Sequence, residues 1–154
     1  MVQRLLRALK YGDQPEIGEV LGLRYGNDLV SAGFKNYFDI IVPVPIHKKR
    51  LQDRGYNQSE YFARGLSKTI GAKVNTEGFI KCKHIDSLTS QSKVDRIVNV
   101  DQVFKVVEKE AFRGKRVLLV DDVLTTGSTL MVCTEELLKS QPLSVSVATI
   151  AGLK

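Results

Sequence analysis

Val117-Leu118-Leu119-Val120-Asp121-Asp122-Val123-Leu124-Thr125-Thr126-Gly127-Ser128-Thr129 passes from an apolar run through two adjacent acids into a hydroxyl-rich turn around one glycine. An apolar run with no polar alternation is the pattern of a strand in the middle of a parallel sheet, covered on both faces. The spacing predicts a strand over 116–121, and the C-terminal ends of such strands are where open α/β sheets take ligands. Thr125, Thr126, Ser128 and Thr129 supply hydroxyl donors, and Gly127 permits a bend that turns successive amides toward one anion. A helix starting near Ser128 adds its free N-terminal amides and the positive end of its dipole, completing a phosphate cradle. Asp121 and Asp122 repel a phosphate. Their acceptor oxygens suit a polyol, such as the 2′- and 3′-hydroxyls of a ribose whose 5′-phosphate sits in the loop, and equally suit a hydrated Mg²⁺. A solvated polar turn is the plain alternative, and a Walker A loop is not, because G-x-x-x-x-G-K-[ST] is missing.

Strand, Asp-Asp and Thr-Thr-Gly-Ser-Thr together closely resemble the phosphoribosyl-pyrophosphate (PRPP) signature of type I phosphoribosyltransferases. Two further stretches narrow the resemblance. Pro43-Val44-Pro45 followed by Arg50, and then Arg54-Gly55-Tyr56-Asn57-Gln58, resembles the competence protein F (ComF) family, also called GntX-like. The family pattern T-x-Q-S-x-x-x-R-x-x-N-V is met by Thr89, Gln91, Ser92, Arg96, Asn99 and Val100, and the resemblance runs from Leu9-Lys10-Tyr11 to the last strand. It implies a type I phosphoribosyltransferase fold: a central, mostly parallel sheet flanked by helices, with a small or reduced hood.

The resemblance also distributes roles. PRPP would place its 5′-phosphate on Thr125, Thr126, Gly127, Ser128 and Thr129, and its pyrophosphate on Pro45, His47, Lys48, Lys49, Arg50 and Arg54. Lysine and arginine suit that second group as charge-assisted donors. Asp121 and Asp122 would hold the ribose hydroxyls, directly or through Mg²⁺, and would stabilise positive charge developing on the ribose ring. Gln91, Lys93, Arg96 and Asn99 fall in a flexible loop that such enzymes close over PRPP, and Arg96 is the stronger candidate to neutralise departing pyrophosphate. The implied activity is phosphoribosyl transfer to an unidentified nitrogen acceptor. Against a 6-oxopurine acceptor, Thr125 stands where hypoxanthine-type enzymes carry an aspartate, and a threonine hydroxyl is no proton donor near neutral pH. The alternative is a PRPP-binding sensor or accessory protein in competence and DNA uptake. Direct binding of single-stranded DNA fits the basic balance of +6, but neither a recognition helix nor an aromatic stacking motif is evident.

The remaining features set bounds. With 154 residues the chain has the length of one domain, 1–154, able to bury a core. Nothing approaches about eighteen consecutive apolar residues, and no signal-peptide pattern follows Met1, so a cytoplasmic protein without a membrane span is expected. Cys82 and Cys133 are far apart and form no C-x-x-C pair, which argues against a zinc site or disulfide framework. ComF-like proteins often carry an N-terminal cysteine-rich zinc segment; its absence suggests a short form or a trimmed chain, and an opening inside a helix favours the latter. A homodimer is left open.

Local patterns fill the outline. Val2, Leu5, Leu6 and Leu9 predict a first helix, and Asp13-Gln14-Pro15-Glu16 a capping box for a second carrying Ile17, Val20 and Leu21. Residues 37–44 read as a strand ended by Pro43 and Pro45. Asn57 should cap a helix with Phe62, Leu66 and Ile70 inward. Two strands are expected around the loop at 89–99, within residues 75–106. After the phosphate loop come a helix with Leu130, Cys133, Leu137 and Leu138 on one face and a last strand at 145–150. Strands alternating with helices imply a parallel sheet.

Overall fold

A computed structural model describes residues 14–82 and 103–152. In chain order the elements are α1 (Glu16–Ser31), β1 (Ile40–Pro43), α2 (Lys48–Arg54), α3 (Gln58–Ile70), β2 (Lys73–Val74) and β3 (Phe79–Lys81). After the gap come β4 (Phe104–Val106), α4 (Lys109–Phe112), β5 (Arg116–Leu124), α5 (Ser128–Leu138) and β6 (Ser144–Gly152). The expected helix over Val2 to Leu9 and the loop at 89–99 lie outside the described residues.

Four strands form a parallel sheet in the order β2-β1-β5-β6, and β3 and β4 form a separate antiparallel pair. The apolar run of β5 explains its central place, because successive side chains address opposite faces and both faces are covered. Val117 and Leu119 pack with Val42, Phe79, Phe104, Phe112 and the α5 residues Leu130, Cys133 and Leu137. Leu118 and Val120 pack on the other side with Ile41 and the α3 residues Phe62, Leu66 and Ile70. Burying each such side chain contributes about 1.5–3 kcal/mol. The strand runs on through Asp121 and Asp122 to Leu124, three residues beyond the predicted 116–121, because β6 stays in register with it from Ser144 to Gly152.

Helix α3 is the predicted one, with Phe62, Leu66 and Ile70 all inward. Helix α1 differs from expectation. Its N-cap is Pro15, without a side-chain capping hydrogen bond, and its buried residues are Gly18, Gly22 and Gly26, whereas Val20 is 62% exposed. The reason is proximity to α3: a methyl on Gly65 would lie 2.8 Å from the Cα of Gly22, so the backbones meet where side chains cannot fit. In α5, Leu138 is 52% exposed rather than inward. It stands about 100° round the helix from Leu137, which occupies the buried stripe with Leu130 and Cys133.

Candidate functional site

In-register pairing brings the end of β1 beside the acids of β5: Pro43 lies opposite Val120, and the Val44 amide donates to the Val120 carbonyl at 2.8 Å. The Pro43-Val44-Pro45 turn therefore emerges beside Asp121. Gly127 takes φ 79°, the left-handed conformation favoured by glycine, and caps α5. Thr126 and Ser128 share a hydroxyl–hydroxyl hydrogen bond of 2.8 Å across it. Thr125, Thr126, Ser128 and Thr129 are all exposed.

Asp121, Thr125, Gly127, Ser128 and Thr129 line a depression of about 30 Å³, the scale of one or two water molecules. An anion there would sit in the loop's mouth, in reach of the hydroxyls and of the amides that open α5. Asp121 lines the depression and Asp122 does not. The Asp121 carboxylate accepts from the Ser59 hydroxyl at 2.9 Å and from the Asp122 amide at 2.8 Å, while Asp122 accepts from the Val123 amide at 2.7 Å. These bonds fix the rotamers of both acids against the strand end.

The stretch Arg54 to Glu60 ties these parts together. Arg54 ends α2, and Gly55 reverses the chain at φ 82°. Buried Asn57 caps α3 by accepting from the Ser59 amide at 3.2 Å, and its own amide donates to the Val44 carbonyl at 3.1 Å. Ser59 then reaches Asp121, so Asn57 and Ser59 join the proline turn, a helix start and the acid. Glu60 pairs with Arg64 at 2.5 Å. Gln58 is 3% exposed, and its side-chain nitrogen finds no hydrogen-bond partner among the described residues.

The basic cluster forms the short helix α2. His47 caps α2, its Nδ1 accepting from the Lys49 amide at 3.2 Å; Lys48, Lys49 and Arg50 are exposed, while Pro45, His47 and Arg54 are half-buried. Gln91, Lys93, Arg96 and Asn99 lie outside the described residues. Lys81, at the end of β3, escaped the sequence reading. Its pKa is pushed below the usual 10.5 by burial and then by the Arg50 guanidinium, with partial relief from Cys133 and Asp121. Burial, reinforced by Asp121 and opposed by Lys81, pushes the Cys133 thiol up to about 12. No local pattern marks Lys81; only the folding of the hairpin toward β5 does.

The phosphoribosyl transferase domain family matches residues 57–153. The chain belongs to that family. Among relatives, competence protein F of Haemophilus influenzae is 39% identical over 94 residues, covering 60% of this chain and 41% of the relative. Competence protein ComFC of Bacillus subtilis is 28% identical over 157 residues, covering 97% and 59%. These matches make it a ComF-like member, although it spans only about half the length of the curated relatives it matches. In fold it is similar to the glutamine PRPP amidotransferase of B. subtilis, solved with ADP and GMP, at TM-score 0.61 and 22% identity, covering 86% of this chain and 26% of that one.

Proposed function

We propose that the chain binds PRPP with Mg²⁺ and transfers its phosphoribosyl group to a nitrogen acceptor. The observation that carries this reading is the Gly127 bend at the end of β5, with exposed hydroxyls and the first turn of α5 on one side and Asp121 on the other. Thr125 to Thr129 bind the 5′-phosphate, Asp121 and Asp122 hold the ribose diol, and Pro45, His47, Lys48, Lys49, Arg50 and Arg54 attend the pyrophosphate. By the family resemblance, Arg96 is assigned to the departing pyrophosphate with them.

The acids fit a magnesium ion brought in by the ligand. Among the described residues no group of three or more His, Cys, Asp or Glu could hold a metal, and Mg²⁺ bound by one or two carboxylates keeps waters and substrate oxygens in its shell. Bound there, it would neutralise charge on the leaving pyrophosphate. The protein's own contribution is a pair of fixed carboxylates beside the ribose, where positive charge develops as pyrophosphate departs.

A second reading is favoured by Thr125, which offers no acid to an acceptor base: a PRPP-binding sensor or accessory protein acting in competence, as the names of its relatives suggest. Titration with PRPP, with and without Mg²⁺, followed by an acceptor panel, tests both. Mg²⁺-dependent binding with pyrophosphate release, abolished in Asp122→Asn, supports the transferase; binding without release to any base, amine or ammonia supports the sensor. Absence of PRPP binding defeats both. No helix among the described residues is long and apolar enough to cross a membrane; a cytoplasmic location and a single domain over 1–154 belong to the same proposal.

A further inference from the structure

Ser59 belongs to a helix and not to the ligand loop, yet its hydroxyl is spent on one of the acids. It lies in the first turn of α3, is 3% exposed, and donates to Asp121 Oδ1 at 2.9 Å across 62 positions of sequence. The other small hydroxyls of α3 behave as ordinary core hydroxyls: Ser67 donates to the Ala72 carbonyl at 2.7 Å and Thr69 to the Leu66 carbonyl at 2.9 Å. Ser59 gives its proton to a carboxylate, which makes a stronger, charge-assisted bond. The donor is also held firmly. Buried Asn57 accepts from the Ser59 amide and donates to the Val44 carbonyl, while Phe62, Leu66 and Ile70 anchor the rest of the helix against the sheet.

The Asp122 amide donates to the same Asp121 oxygen at 2.8 Å. A carboxylate oxygen offers about two lone-pair sites, so these two donors occupy Oδ1, and a sugar hydroxyl would meet Asp121 at Oδ2. Asp121 lines the depression that also holds Thr125, Gly127, Ser128 and Thr129. We propose that Ser59 is a positioning residue of the sugar site: by holding Oδ1 it sets Oδ2 toward the ring hydroxyls of a ligand whose phosphate sits in the loop. This rests on the PRPP reading above and deepens it, because the first turn of α3 then helps select a hydroxylated sugar over a bare phosphate ester.

The test is NMR titration of wild type, Ser59→Ala and Ser59→Cys with ribose 5-phosphate and with tetrahydrofurfuryl phosphate, which keeps the ring and phosphate but has no ring hydroxyls, at fixed ionic strength and Mg²⁺. Hydrogen bonds to a charged group predict that wild type binds ribose 5-phosphate about tenfold or more tightly than the comparator. Freed from Ser59, Asp121 spends only a fraction of its time in the competent rotamer, so Ser59→Ala should weaken ribose 5-phosphate by about threefold to tenfold and the comparator by less than about twofold. Ser59→Cys keeps the shape but is a poor donor, and should follow Ser59→Ala. Thermal melting checks folding, and the cysteine variant alone decides if the alanine variant unfolds. Equal weakening of both ligands, or of neither, overturns the role of Ser59, as does a cysteine variant that keeps the wild-type preference. A wild-type chain that binds neither ligand, or both equally, overturns the sugar-phosphate reading of the acids, and this inference with it.

Discussion

Gly65 and Gly127 are the same residue put to opposite uses. At Gly65 the backbone is helical and the surroundings are full: an added methyl would meet the Cα of Gly22 at 2.8 Å and run into the Glu19 carbonyl oxygen. At Gly127 the nearest atom to such a methyl is a flexible Leu124 side-chain carbon at 3.5 Å, but φ is 79°. One glycine is required by its neighbours and the other by its own torsion. The first lets α1 and α3 close together and seals one face of the sheet. The second leaves the loop's hydroxyls open to solvent, where the proposed phosphate would meet them.

The contrast predicts a graded series. Gly65→Ala should cost about 3 kcal/mol or more, since overpacking against backbone cannot be relieved by a rotamer change. Urea denaturation measures it, and a loss below about 1 kcal/mol would mean that the helices can separate cheaply. Gly127→Ala should cost about 1–2 kcal/mol through left-handed strain, yet lower ribose 5-phosphate affinity at least about tenfold as the loop re-aims. If it instead unfolds the chain as Gly65→Ala does, the two glycines do not differ in kind. Ser59→Ala, which cuts the link from α3 to Asp121, should lose about 1 kcal/mol in the same denaturation assay. Gln58→Met removes a buried amide whose nitrogen has no hydrogen-bond partner among the described residues; stability should fall by no more than about 0.5 kcal/mol or should rise. A larger loss would show that the amide is satisfied in solution.

Much of this arrangement is legible from local sequence. The apolar run of β5 reads as a covered strand, and the Asn57 cap with Phe62, Leu66 and Ile70 marks α3 and its inward face. Hydropathy misread α1, because it scores side chains: Ile17, Val20 and Leu21 mark one face, whereas the buried residues are Gly18, Gly22 and Gly26, chosen by the closeness of a helix far along the chain. Leu138 misled for the related reason that apolar character is not burial. In the site, Asp121 and Thr125 to Thr129 are legible because strand, acids and loop are contiguous. The Ser59–Asp121 bond is not, because it joins residues 62 positions apart by number, and only the folded topology sets that distance.

Strand β3 continues at once into Cys82, whose amide donates to the Val103 carbonyl at 2.8 Å and whose side chain is exposed. Cys133, by contrast, is buried, with its thiol pushed up to about 12, so at mildly alkaline pH it offers almost no thiolate to an alkylating dye. A maleimide fluorophore should therefore add once per native chain and twice after denaturation. The native sequence thus offers one attachment point for an optical reporter, immediately after the last residue of β3.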